Sequence, residues 1–150
     1  MIRFVYLAAL GSAAVLLGAF AFQHLGGMPP CKLCLWQRWP HAAAALMGVI
    51  IILTGKARLA WLGAIASLTT AIIGFYHVGV EQGWWEGPTS CSSSGVSNLS
   101  AQDLMNQILA APMVRCDDIA WQMLGISMAG WNVVASLALA ALWIEAARRA

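Results

Sequence analysis

The sequence predicts an all-α membrane protein, a bundle of four transmembrane helices joined by two outward-facing loops. Three observations carry this. The 150 residues are 61% hydrophobic and only 9% charged, with a mean hydropathy of +0.74, against about 25% charged residues in a soluble domain. Four stretches of 17 to 26 residues contain no charge at all. The basic residues outside those stretches fall mainly on one side of the implied membrane. A soluble globule of this size would leave roughly 30% of its potential surface exposed and needs polar residues to cover it. A disordered chain and a small disulfide scaffold are excluded by the same composition.

The first span is Phe4–Phe22 and the second Trp39–Gly55, with Pro40 and His41 near its start. The third is Leu59–Val80, with His77 near its end, and the fourth is Ile119–Ile144, which includes the mildly polar Gln122, Ser127 and Asn132. About 20 residues at 1.5 Å rise cross a bilayer core. Period-2 alternation is absent, which argues against a transmembrane barrel. Small residues recur inside the spans (Gly11 and Ser12, Ala42–Ala45 and Gly48, Gly63, Ala64 and Ala66), as helices in close contact within lipid require. Residues 1–150 thus read as a single integral membrane domain.

Arg3 precedes span one, Lys56 and Arg58 occupy the short turn between spans two and three, and Arg148 and Arg149 follow span four. With four spans these five charges share one face, which the positive-inside rule assigns to the cytoplasm together with both termini. The loops at 23–38 and 81–118 then face outward. The stretch Ala19-Phe20-Ala21 also resembles a signal-peptide cleavage site, but the apolar run is longer than a typical signal core. The net charge of +2 is too small and too scattered for a nucleic-acid surface.

The second outward loop has internal order. Gly87-Pro88 and Cys91-Ser92-Ser93-Ser94-Gly95 read as turns. Ser100 and Asp103 are spaced as a relative of a capping box. Leu104, Met105, Ile108 and Leu109 follow at helical spacing, and Pro112 closes a short amphipathic helix that fits equally the membrane surface or packing on other loop residues. Trp84, Trp85 and Trp121 flank the loop where interfacial anchors sit.

All four cysteines lie in the outward loops. Cys31-Lys32-Leu33-Cys34 has the spacing of a redox-active pair or of half a zinc site. Its closed ring restrains almost no chain, which makes it a poor staple. Cys91 and Cys116 share the other loop. Cysteines outside the cytoplasm tend to pair, and the spacings make Cys31–Cys34 and Cys91–Cys116 the natural pairing, although three connectivities remain open. The second pair lacks the C-x-x-C form of a zinc site, and His24, His41 and His77 form no ligand cluster in sequence, so no metal is expected. Lys32 and Arg38 add positive charge that favours a thiolate, and Arg38 follows Cys34 by four residues. Oxidising a dithiol requires an acceptor for its two electrons. The chain has no glycine-rich dinucleotide loop, haem motif or iron–sulfur spacing, so a lipid-soluble quinone is the acceptor reached by elimination.

Cys31-Lys32-Leu33-Cys34-Leu35-Trp36-Gln37-Arg38 resembles the C-x-L-C-x-x-x-R signature of the disulfide bond formation protein B family. The four spans, the Cys91/Cys116 loop and the sequence around Trp121-Gln122-Met123-Leu124-Gly125 and Met128 resemble it as well, over residues 4–144. The resemblance implies a bacterial inner-membrane enzyme, a protein-dithiol:quinone oxidoreductase. It would reoxidise a periplasmic thiol oxidase of thioredoxin-like fold and pass the electrons to ubiquinone or menaquinone. It implies that Cys91 meets the partner's reactive cysteine, Cys116 exchanges with Cys31, and Cys34 lies nearest the quinone. Arg38 would be the quinone-associated arginine, and His77 resembles a histidine near the end of the family's third span.

Other readings are a four-helix small-molecule transporter, a structural subunit with two static disulfides, and an enzyme reducing a quinone-like vitamin epoxide. The first usually needs an intramembrane charge, and no span core carries one. The second predicts cysteines that stay oxidised in mild reductant. The third shares the C-x-x-C motif, but the Arg38 offset and the 91/116 loop favour the first-named family.

Overall fold

The computed structural model describes residues 1–88 and 114–150. Cys91 and the helix expected around Leu104–Leu109 lie outside the described residues. Four long helices dominate: α1 (Ile2–His24), α2 (Lys32–Thr54), α3 (Ala60–Glu81) and α4 (Met128–Arg148). A 3-10 turn, Ala57–Leu59, joins α2 to α3. Each helix packs against its two neighbours in the order α1, α2, α3, α4, with α3 against α4 the most extensive pair and α1 against α4 closing the ring. Short connections make α1/α2 and α2/α3 antiparallel, the usual arrangement of such bundles.

The bundle is apolar outside and small or polar inside. Leu10, Leu17, Leu53 and Ile72 are exposed, whereas Ser12, Ser67, Thr70 and Ser136 are fully buried. This distribution suits lipid, where an apolar outer face costs nothing and packing depends on small residues and interhelical hydrogen bonds. At the end bearing the chain termini, Val5, Ala8, Ala9, Ile51, Ala60, Ala64, Trp143 and Ala146 form one core. Trp143 is accommodated because Gly63 faces it, and a Cβ on Gly63 would come within 2.5 Å of the indole.

α1, the segment Ala57–Glu81 and α4 are long and apolar enough to cross a membrane. α2 is as long as α1, but Lys32, Gln37, Arg38 and His41 make its N-terminal half more polar. The structure also shifts two expected boundaries. α2 starts at Lys32 rather than Trp39, because Cys31 caps it: the Cys34 main-chain N–H donates to Cys31 Sγ at 3.1 Å. The helix continues through Pro40, whose missing N–H leaves the Trp36 carbonyl without its helical donor.

The helical part expected from Ile119 begins only at Met128. Gln122–Met123 and Ile126–Ser127 form a two-stranded antiparallel ribbon instead. Its two-residue turn, Leu124-Gly125, has φ of 55° and 77°. Two positive φ values define the primed turn that fits the strand twist, and glycine supplies one of them without strain. Ser127 then caps α4 by accepting from the Gly130 N–H at 3.2 Å.

Candidate functional site

The site lies where the ends of the helices away from the chain termini meet the segment containing Cys116. Because α2 starts at the C-x-x-C motif, Cys31 sits at the helix N-terminus and Cys34 in its first turn. Their sulfurs are 2.7 Å apart. Cys31 is buried and shares a cluster with Leu33, Val80 and the fully buried Cys116, with Cys34 and Val114 packed against it. Three of the four sequence-identified cysteines are thereby brought together. The hydrogen bond with the Cys34 sulfur, followed by burial, holds the Cys31 thiol well above the ordinary thiol range.

His77, near the end of α3, reaches this cluster. Its Nε2 stands 3.6 Å from Cys31 Sγ and 3.8 Å from Glu81 Oε1, and its ring also hydrogen-bonds the Cys116 main chain. Glu81 Oε2 accepts from the Ser127 hydroxyl at 2.5 Å, tying α3 to the start of α4. The donor atoms of Cys31, Cys34 and His77 lie within 4.8 Å of one another, a spacing that soft metal ions also use and that linear sequence did not reveal.

Arg38 is one turn beyond Cys34 on α2. Its Nη1 donates to Gln23 Oε1 at 2.5 Å and its Nη2 to the Ala19 carbonyl at 3.1 Å. The guanidinium lies 4.8 Å from the Phe20 ring centroid, a cation–π distance. Its Nε is buried and lacks a partner among the described residues.

A polar network that sequence reasoning missed runs inward from this point. Gln37 Nε2 donates to the Leu33 carbonyl at 3.3 Å and meets His77 Nδ1 at 3.0 Å. Asn132 Nδ2 donates to Gln37 Oε1 at 2.6 Å and to Thr70 Oγ1 at 3.2 Å, while its Oδ1 faces His41 Nε2 at 2.8 Å. The available signal was the presence of Gln37, His41 and Asn132 in otherwise apolar helices, where polar side chains generally face a partner or a cavity.

A cavity of about 410 Å³ opens beside these groups. Val15, Leu16, Phe22 and Met128 supply apolar wall; Cys31, Cys34, Arg38, His41, His77 and Asn132 supply its chemistry. The volume falls within the range of small-molecule sites, which are mostly apolar with a few placed polar groups. The unpartnered buried atoms Arg38 Nε and His41 Nδ1 are such groups. An apolar ring bearing polar oxygens, such as a quinone, fits this set of residues. Arg115, which also lines the cavity, donates to Asp117 at 2.7 and 3.1 Å and holds its carboxyl below the usual range.

The family described as "Disulfide bond formation protein DsbB" matches residues 2–146. "Disulfide bond formation protein B" of Alkalilimnicola ehrlichii is 32% identical over 146 residues, covering 89% of this chain and 86% of that protein. Its namesake in Azoarcus sp. is 31% identical over 150 residues, covering 91% and 87%. The one in Albidiferax ferrireducens is 29% identical over 160 residues, covering 97% and 88%. No solved structure matches the chain. With the C-x-x-C pair at a helix start, the adjoining apolar cavity and a family match across nearly its whole length, the chain belongs to the DsbB family of bacterial inner-membrane disulfide bond formation proteins.

Proposed function

We propose that this protein oxidises a periplasmic thiol oxidase of thioredoxin-like fold and delivers the electrons to a membrane quinone, with both of its own termini in the cytoplasm. The observation that carries this reading is that Cys31 and Cys34 line the same largely apolar cavity as Arg38. That juxtaposition links thiol chemistry to a site open to lipid-soluble ligands. Family membership supports oxidoreductase activity independently.

The exchange steps balance as dithiol–disulfide transfers. A partner thiolate attacks the Cys91–Cys116 disulfide at Cys91, and the partner leaves as a disulfide. The resulting Cys91/Cys116 dithiol reduces the Cys31–Cys34 disulfide, with Cys116 attacking Cys31. The burial of Cys116 against Cys31 supports this order. Cys31 and Cys34 then close again, releasing two electrons and two protons. A quinone, ubiquinone or menaquinone, supplies the acceptor for both when bound.

The chain's own residues do the rest. Arg38 presents a fixed cationic donor where negative charge develops, a preorganised form of electrostatic stabilisation. Its anchoring by Gln23 and Ala19 keeps it in place. The apolar wall excludes water, which strengthens that interaction. His77 orients Cys31 from the α3 side.

The test is quinone reduction by the detergent-purified chain, followed optically, with a reduced thioredoxin-like dithiol as donor. Single Cys→Ser variants assign the steps. Absence of quinone-dependent oxidation of the donor would overturn the function.

A further inference from the structure

Two main-chain carbonyls fix the direction of the polar network between α2, α3 and α4. The Thr70 hydroxyl donates to the Gln37 carbonyl at 3.1 Å. Its oxygen therefore accepts from Asn132, and the Asn132 atom 3.2 Å away is Nδ2. The second anchor agrees: Gln37 Nε2 donates to the Leu33 carbonyl, so Gln37 Oε1 is the acceptor facing Asn132 Nδ2. Asn132 Oδ1 is left facing His41 Nε2. A carbonyl oxygen only accepts, so His41 Nε2 carries the proton, and Nδ1 of the neutral ring carries a lone pair.

That Nδ1 is buried and has no hydrogen-bond partner among the described residues. The side chain as a whole is 2% exposed. Buried polar atoms are rarely left unpaired without a functional reason. His41 lines the cavity, as does Arg38, whose buried Nε is likewise unpartnered. Cys34, Arg38 and His41 stand at i, i+4 and i+7 on α2, which places them along one helix face. Three lining residues, one with a thiol, one with a spare buried N–H and one with a spare buried acceptor, thus follow one another along this helix face.

We propose that His41 is a ligand-binding residue of this cavity, its Nδ1 accepting a hydrogen bond from a hydroxyl of the reduced, quinol form; this rests on the quinone reading above. An oxidised quinone ring offers carbonyl acceptors, which suit the Arg38 donor and leave His41 Nδ1 unpaired. Two electrons and two protons from one dithiol convert both carbonyls to hydroxyls, while the two thiols become a disulfide. Only the reduced ring carries the O–H that Nδ1 needs. The cavity therefore holds quinol more tightly than quinone, by roughly five- to tenfold if one neutral hydrogen bond separates them.

Binding, rather than turnover, tests this. His41→Gln keeps an N–H able to reach Asn132 Oδ1 but has no acceptor where Nδ1 stands. Affinities for decylubiquinone and decylubiquinol are measured anaerobically on the purified full chain, by quenching of tryptophan fluorescence, since Trp121 and Trp131 line the cavity. The wild type is expected to prefer quinol by roughly five- to tenfold. His41→Gln is expected to bind quinone as before and to lose that preference. A second measurement needs no variant: the ¹⁵N resonance of His41 Nδ1 moves on addition of quinol and not of quinone. A wild type without the preference, a His41→Gln variant that keeps it, an equal loss of both affinities, or an unmoved Nδ1 resonance overturns the assignment and leaves the quinone reading standing. A wild type that binds neither form overturns both.

Discussion

Asn132 on α4 donates to Gln37 Oε1 on α2 at 2.6 Å, and this bond, with the Leu33 carbonyl that accepts from Gln37 Nε2, sets the proton position on a histidine beside the thiols. With Oε1 occupied as an acceptor, Gln37 turns its Nε2 toward His77 Nδ1. Nδ1 then accepts, and the neutral His77 ring carries its proton on Nε2, the atom facing Cys31 and Glu81. Asn132 on α4 and the Leu33 carbonyl together thereby determine that His77 turns an N–H, not a lone pair, toward Cys31, Glu81 and the Cys116 main chain.

The first prediction follows from that dependence. In ¹⁵N spectra of the wild type at neutral pH, His77 should appear as the Nε2-protonated tautomer. Asn132→Leu removes the donor to Gln37 and leaves buried Gln37 and His41 atoms unpaired, at a cost of roughly 1–3 kcal/mol each. Its thermal midpoint in detergent should fall, and the His77 tautomer signal should become mixed. An unchanged, pure Nε2–H signal in the variant would separate His77 from the network.

Arg38 is held by Gln23 and the Ala19 carbonyl, with Nε to spare. Arg38→Ala should slow quinone reduction by roughly 10- to 100-fold, the range expected for a lost charged hydrogen bond of about 1.5–3 kcal/mol. Exchange between the donor dithiol and the Cys91/Cys116 loop should persist in mixed-disulfide trapping. Equal loss of both steps would remove the division of roles.

Cys34→Ser should abolish quinone reduction, while the lone Cys31 thiolate attacks Cys116 of the oxidised Cys91–Cys116 pair, releasing the Cys91 thiol and accumulating the Cys31–Cys116 adduct. Non-reducing electrophoresis after proteolysis detects the Cys31–Cys116 link. Turnover by Cys34→Ser with reduced donor would rule out this electron route.

The apolar helical architecture was legible because bilayer-length apolar runs are strong, local signals. The C-x-x-C motif and Arg38 were legible for the same reason: their spacing lies within a single turn or two of one helix. The helix start at Lys32 was not, since it depends on Cys31 acting as a cap, a role that leaves no hydrophobic signature. Nor was the ribbon at Gln122–Ser127, whose apolar composition suits a span and whose only marker is the Leu124-Gly125 turn. The network of Gln37, Thr70, His77 and Asn132 joins three helices, so no spacing within one segment encodes it.

The reduced protein should also lose stability in alkali. The hydrogen bond with Cys34 and burial raise the Cys31 thiol in the folded state while the same bond lowers Cys34, so above the unfolded thiol value the folded pair still holds the Cys31 proton that the unfolded chain has released. This contribution is fully present below the unfolded thiol value, about 8.5, and declines as pH rises above it. The thermal midpoint of the reduced wild type should therefore fall between pH 8 and 10 more steeply than that of Cys31→Ser. Parallel curves would exclude Cys31 as the source.

The far end of the bundle yields a prediction independent of the chemistry. Gly63 on α3 lies against Trp143 on α4, and a Cβ there would stand 2.5–2.8 Å from three indole carbons. Trp143 is fully buried and packed among Val5, Ala8, Ile51 and Ala64, so the ring has little room to yield. Gly63→Val should cost roughly 1–3 kcal/mol through overpacking, lowering the thermal midpoint in detergent. Because the clash lies at the end of the bundle that holds the termini, the affinity of the folded fraction for decylubiquinone should be unchanged. The paired substitution Gly63→Val with Trp143→Leu, which opens space beside the new side chain, should recover part of the loss. If the double variant is no more stable than expected from the two single effects added together, the two residues do not constrain each other and the α3–α4 contact is looser than this packing implies.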